Sequence, residues 1–261
     1  MTLLRSAHFG SDVERIPFEL GVAAGMFKGA RAFRKFGRNP TTNGTEDIWA
    51  FGGVRVAPTA AGVVSLVSSD AADTLLGTGA QIVVVQGLDA DYNEIAENVE
   101  MSGTTPAVTT AEFLRVFRMF VAHVGSGEVN AGNITATIGG DVQAYISAGD
   151  GQTAIAHYTV PADHILVVDY YSVGVGRMAG TADANIKAQI RAYDPTSNNN
   201  YQSWRSISNL QLYNGQEHVN SKSVTILPAR TDLRVQCVSS AATQAHAIYG
   251  GYLINPRLAN T

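Results

Sequence analysis

Hydrophobic and polar positions alternate along most of this chain. The pattern is clearest over residues 79–124, where the run QIVVVQGL at 81–88 leads through a polar turn, DADYNE at 89–94, into an alternating stretch at 95–101. A second break, SGTTP at 102–106, precedes a longer apolar run at 113–124. β-Branched and aromatic residues at period two, bounded by Asp, Asn, Gly and Pro, predict consecutive antiparallel strands. A first β-domain is expected over 46–124, with strands near 53–57, 63–68, 81–88, 95–101 and 113–124 and with Trp49 and Phe51 closing one end of its core. GSGEVNAGN at 125–133 reads as an interdomain linker. A second β-domain is expected over 134–261, with strands near 134–138, 142–146, 153–160, 165–175, 184–192, 201–212, 223–227, 232–239 and 245–254. Short strands at intervals of about 8–12 residues describe a sandwich or jelly roll. The expected fold is therefore all-β: two antiparallel β-sandwich or jelly-roll-like domains, preceded by an extended N-terminal arm at 1–45.

The arm stands out by charge. Residues 1–45 hold seven Lys or Arg against three acids, whereas the remainder holds 11 against 19. In its centre Phe27, Phe33 and Phe36 interleave with Lys28, Arg31, Arg34, Lys35 and Arg38, and Gly21, Gly25, Gly29 and Gly37 argue against a stable helix. Aromatic and Arg residues are the usual anchors of protein interfaces. These eight side chains are the predicted partner-binding set, seated in a neighbouring subunit. Base stacking and phosphate contact need the same residue types, but the whole chain carries a net charge of −4 and no nucleic-acid-binding motif, so a protein partner is the better reading.

Composition changes the picture in two ways. The charged fraction is 15%, low against the usual ~25%, as suits a β-rich protein with a neutral surface or one largely covered by neighbours. Cys237 is the one cysteine, so no intrachain disulfide is available, and its apolar neighbours suggest a small buried hydrophobe. No apolar run reaches the ~18 residues of a membrane-spanning helix, and the first residues lack the pattern of a signal peptide. The expectation is synthesis in a cytoplasm, with no membrane.

Candidate chemistry is sparse. Asp89, Asp91, Asn93 and Glu100 have the spacing of an EF-hand loop, but its glycine position is Glu94 and its flanks read as strands, so a solvated turn is the better account. The six histidines show no paired spacing and no cysteine companions, and no nucleophile elbow or phosphate loop is present. Glu97 and Glu100 would face opposite sides of a strand. No catalytic residue, metal or cofactor is predicted. Tyr193, Asn199, Tyr201, Trp204 and Tyr213 cluster in the second domain as a possible recognition surface for a receptor or host surface glycan, although core and subunit contacts use the same residue types.

Residues 36–40 (FGRNP), 45–49 (TEDIW), 87–95 (GLDADYNEI), 113–116 (FLRV) and 158–162 (YTVPA) resemble a family of tailed-bacteriophage virion structural proteins, familiar from phages of marine bacteria and cyanobacteria. The resemblance runs through most of the chain and is weakest over 180–220. It implies a non-enzymatic virion component with β-sandwich domains. It also implies that Gly37 to Pro40 and Trp49 belong to the arm's anchorage and that Asp89 to Glu94 form a turn. The expected role is a capsid-surface decoration (cement) protein, a homo-oligomer with a trimer favoured, gripping the major capsid protein or other virion proteins. The alternative is a tail- or neck-associated protein, a fibre, receptor-binding or adaptor component.

Overall fold

The computed structural model describes residues 16–177, 183–192, 201–213 and 215–259. It is all-β apart from one six-residue helix, α1 (Phe18–Ala23), which the glycine content had argued against. That helix ends where Gly25 takes φ +72°, and its Phe18 packs on Phe27 and on Tyr252, with ring centroids 5.0 and 4.9 Å apart.

The smaller unit is a closed sandwich of two sheets. One sheet has the order β5 (Ala107–Phe113), β2 (Gly62–Ser68), β7 (Ile134–Ile138), β8 (Asp141–Ile146); the other has β4 (Glu94–Glu100), β3 (Ala80–Leu88), β6 (Arg115–Val124). Alternation buries one face of each strand, and Val64, Leu66, Val83, Val85, Phe113, Met119, Ile134 and Ile146 fill the space between them. Both seams are sewn. On one side the Glu97 carboxylate accepts the Thr110 and Ala111 amides at 2.8 Å, and on the other the Val121 amide bonds Gly151 O at 2.8 Å. The turn between β3 and β4 is an Asx turn: Asp89 Oδ1 accepts the amides of Asp91 and Asn93 at 2.9 Å, while Tyr92 sits at φ +66°.

The larger unit is a curled seven-stranded sheet organised on β14 (Thr231–Ile254). The first half of β14 pairs with β11 (Asp183–Ala192) and the second half with β10 (Ile165–Arg177). β1 (Ala30–Asp47) runs along the opposite side, assisted at Asp232–Arg234 by β9 (His157–Thr159). β12 (Tyr201–Tyr213) extends the sheet from β11, and β13 (Gly215–Leu227) extends it from β10. Where β10 shifts register between Val168 and Tyr170, β14 supplies Gly251 at φ +151°, and a Cβ there would meet Val167 O.

Four expectations are corrected. Residues 30–47 are not a free arm but a strand paired with β14 from Ala30 opposite Ile254 to Asp47 opposite Gln236. The stretch 125–133 joins β6 to β7 within the sandwich, because β7 and β8 pair with β2 and not with the second unit. Its glycines mark close packing, since a Cβ at Gly125 would strike Gly77 O and one at Gly132 would lie 2.6 Å from the Asp70 amide. The buried Asp73 carboxylate binds this stretch, accepting the Ala131 and Gly132 amides at 2.8 and 2.9 Å. The two sheet systems are thus built from 62–146 and from 30–47 with 157–254. Finally, 53–57 forms no strand, and Phe51 is 48% exposed beside a buried Trp49.

Candidate functional site

Of the eight predicted arm residues, Phe27 and Lys28 precede β1 and the other six lie on it. Phe33 turns inward, 4.5 Å from the Tyr158 ring and 6.1 Å from that of Tyr249. Lys35 is buried and donates to Phe117 O; burial, with Arg118 and Arg55 nearby, pulls its ammonium down to about 7. Phe27 and Phe36 are half-buried. Arg31 pairs with Glu94 on the sandwich, and Arg38 lies 3.3 Å from Asp150. Lys28 and Arg34 are exposed. The strongest anchors of the set therefore hold this chain's own two units together.

Of the predicted recognition residues, Tyr193 and Asn199 lie outside the described residues, and Tyr201 and Tyr213 are the terminal positions of β12. Trp204, on the same strand, faces the junction between the two units. The Arg234 guanidinium carbon is 4.0 Å from its ring centroid and that of Arg191 4.6 Å, within cation–π range.

That junction holds a cluster the sequence did not reveal. Asp232, at the start of β14, receives Arg115 from β6 through two bonds of 3.1 and 3.2 Å, Arg191 Nε from β11 at 2.8 Å, and the Thr159 hydroxyl at 2.6 Å. Burial alone would raise this carboxyl, but Arg115 foremost, then Arg191 and Thr159, hold it at about 2. Asp47, at the end of β1, accepts the Arg55 amide at 2.8 Å and Gln236 Nε2 at 3.0 Å, with Arg234 Nη1 at 3.8 Å. His157 Nε2 stands 3.3 Å from the same carboxylate without a hydrogen bond. Burial lowers this imidazole, so it is neutral at pH 7. Among the described residues the Arg55 guanidinium bonds only carbonyls, Gln143 O and Val116 O at 3.0 Å, and burial with the nearby Arg115 charge brings it down to about 10.

Two cavities open on this cluster. One, of about 270 Å³, is lined by Arg55, His157, Trp204 and Arg234; the other, of about 640 Å³, by residues 57–61, Tyr92, Leu114 and Arg230. Ala57, Arg115, Arg191 and Asp232 border both. Polar groups converging on a cleft at the meeting of two units are the usual setting of a binding site. Among the described residues no group of three His, Cys, Asp or Glu side chains converges as a metal site. The sequence singles out Trp204 as a recognition residue, and Asp47, Arg115 and Thr159 lie in segments of the phage-protein resemblance, but no spacing joins them, because the cluster's members are drawn together by β-pairing from positions 47 to 234.

No protein-family model and no curated protein matches the chain. Among solved structures, one of infectious bursal disease virus, Gx strain, aligns over 88% of this chain and 73% of its own at 9% identity, with a TM-score of 0.21. A T13 particle of the same virus aligns over 87% and 74% at 8% identity, with a TM-score of 0.20. Scores this low do not establish a shared fold.

Proposed function

We propose that this chain is a non-enzymatic structural protein of a virus particle, and more finely a decoration protein of a phage capsid. The observation that carries the reading is where the residues of the phage-protein resemblance lie. Gly37 has no room for a Cβ against Ala156 N and Ile48 O. Asn39 is buried and donates to Asp47 O at 3.1 Å, and the Trp49 indole donates to Gly53 O at 3.1 Å. Asp89 ties the β3–β4 turn. These resemblance residues thus build a framework, as a shell subunit requires.

In this reading the outer face of β1, with Arg34, and Lys28 just before it dock on the major capsid protein or another virion protein. Closed symmetry, a trimer being the favoured case, would then repeat the contact around the particle. Synthesis takes place in the host cytoplasm before assembly. The second reading, a tail or neck protein contacting a host surface, is favoured by the placement of Trp204 at a cleft rather than in a core. Quantitative mass spectrometry of purified particles separates them. A copy number near parity with, or one third of, the major capsid protein supports decoration; about one per hundred supports the tail; absence from particles removes both.

A further inference from the structure

Among the described residues, the junction cluster holds more guanidinium groups than carboxylates. Arg55, Arg115, Arg191 and Arg234 face Asp47 and Asp232, an excess of two among the described residues. Asp91 also reaches the rim of the larger cavity, on the exposed turn. An ion-pair network that served only to join two units would leave no strong donors over, since unpaired buried charge is costly. Here donors remain. Arg191 uses Nε on Asp232, and no hydrogen bond to the described residues ends on its Nη1 or Nη2. Arg234 uses Nε on Gln189 at 3.0 Å, and no hydrogen bond to the described residues ends on its Nη2. Arg55 makes no hydrogen bond to the described residues through Nη1.

The donors are also held in place. Asp232 and the Trp204 ring fix Arg191 from two directions, and Trp204 and Asp47 do the same for Arg234. Guanidinium groups held this way bind planar or tetrahedral oxyanions through paired N–H donors. Beside them the larger cavity offers an apolar wall, Ala57 to Ala61 with Leu114, and the Tyr92 ring, in a volume of about 640 Å³. That is the size of a pocket for a small ligand and exceeds what an isolated anion fills.

We propose that this cleft binds a sugar-sized ligand bearing an oxyanion, a carboxylate or a phosphate, with the oxyanion on Arg191, which borders both cavities, and the body against Tyr92 and the 57–61 wall of the larger one. The proposal stands on the cleft alone and does not require the virion reading. Calorimetric titration of the full chain at low salt tests it, with glucuronate, N-acetylneuraminate and glucose 6-phosphate as probes and with glucose and inorganic phosphate as controls. At least one acidic sugar is expected to bind saturably, one per chain, with glucose silent and phosphate at least tenfold weaker. A carboxylate probe outranking glucose 6-phosphate, or the reverse, tells which oxyanion the cleft prefers.

Arg191→Gln should weaken that binding at least tenfold, and Arg191→Lys, which keeps a charge for Asp232 but loses the forked donor, should weaken it nearly as much. Arg38→Gln, on a remote ion pair, should leave it unchanged. Should Arg191→Gln fail to fold, the Lys variant carries the comparison. Silence from all three acidic sugars, equal binding by Arg191→Lys and the native chain, or phosphate alone binding as tightly as the sugars would overturn the proposal.

Discussion

The two sheet systems obey the same strand rules and end in opposite conditions. The sandwich of 62–146 is closed: aliphatic and aromatic side chains interdigitate between its sheets, both seams are bonded, and its buried Asp73 is satisfied by a hydroxyl and three backbone amides. The curled sheet on β14 is filled partly by small and polar-tipped residues, Ala156, Ala245, Ala247, Tyr158 and Tyr249, and keeps a cavity of about 210 Å³ between β10, β11, β12 and β14. Its ionic groups gather where it meets the sandwich. A closed β-body thus serves as a platform, and chemistry collects where an open one rests against it.

The sharpest way to break this contrast is Asp232→Asn. It leaves Arg115 and Arg191 facing no carboxylate and should cost about 3–5 kcal/mol. Denaturant unfolding should then show the β14 sheet melting before the sandwich; a single unshifted transition would count against a structural role for the cluster. In the native chain the contribution of Asp232 is present above the ordinary carboxyl value of 3.8 and is lost as pH falls toward about 2.

Next is Lys35→Met. Between pH 7 and 10.5 the unfolded chain keeps a proton that the folded chain has released from Lys35, so stability rises with pH across that window. At pH 7 the Met variant should be more stable by up to about 3 kcal/mol, the lost bond to Phe117 O offsetting part of the gain, and the advantage should vanish near pH 10. Thermal unfolding at both pH values checks it.

Gly37→Ala should destabilise by about 2–3 kcal/mol, because the new methyl meets backbone on both sides and neither side can yield cheaply. Glu97→Ala is the smallest change. Loss of two amide partners on a half-exposed seam should cost about 1 kcal/mol and act on the sandwich transition alone.

Much of this was legible. The turn at Asp89 to Asn93 and nearly every strand followed from alternation and turn residues. What misled were sites where tertiary neighbours overrode local signals. The basic, aromatic 27–38 stretch read as an arm because a buried lysine is rare, yet Phe117 O receives Lys35 inside. The stretches 232–239 and 245–254 read as two strands, but they form the single β14, which β1 accompanies on both sides of the break in pairing between Ser239 and Thr243. β5 escaped notice because TTPAVTTAEF is half polar and its solvent face is real. The arginine cluster carried no spacing at all.

β14 has a consequence for the order in which the molecule is made. Every strand of the sandwich has been synthesised before β9 begins, so that body has all its partners early. β1 must wait about 200 residues for the strand it pairs with, as Ala30 meets Ile254, and β10 and β11 wait for the same segment. A nascent chain therefore carries a folded head and three long unpaired edges until β14 emerges. Interruption of synthesis before residue 231 would release a species whose exposed strands pair with one another's copies, a hazard that timely completion of one strand removes.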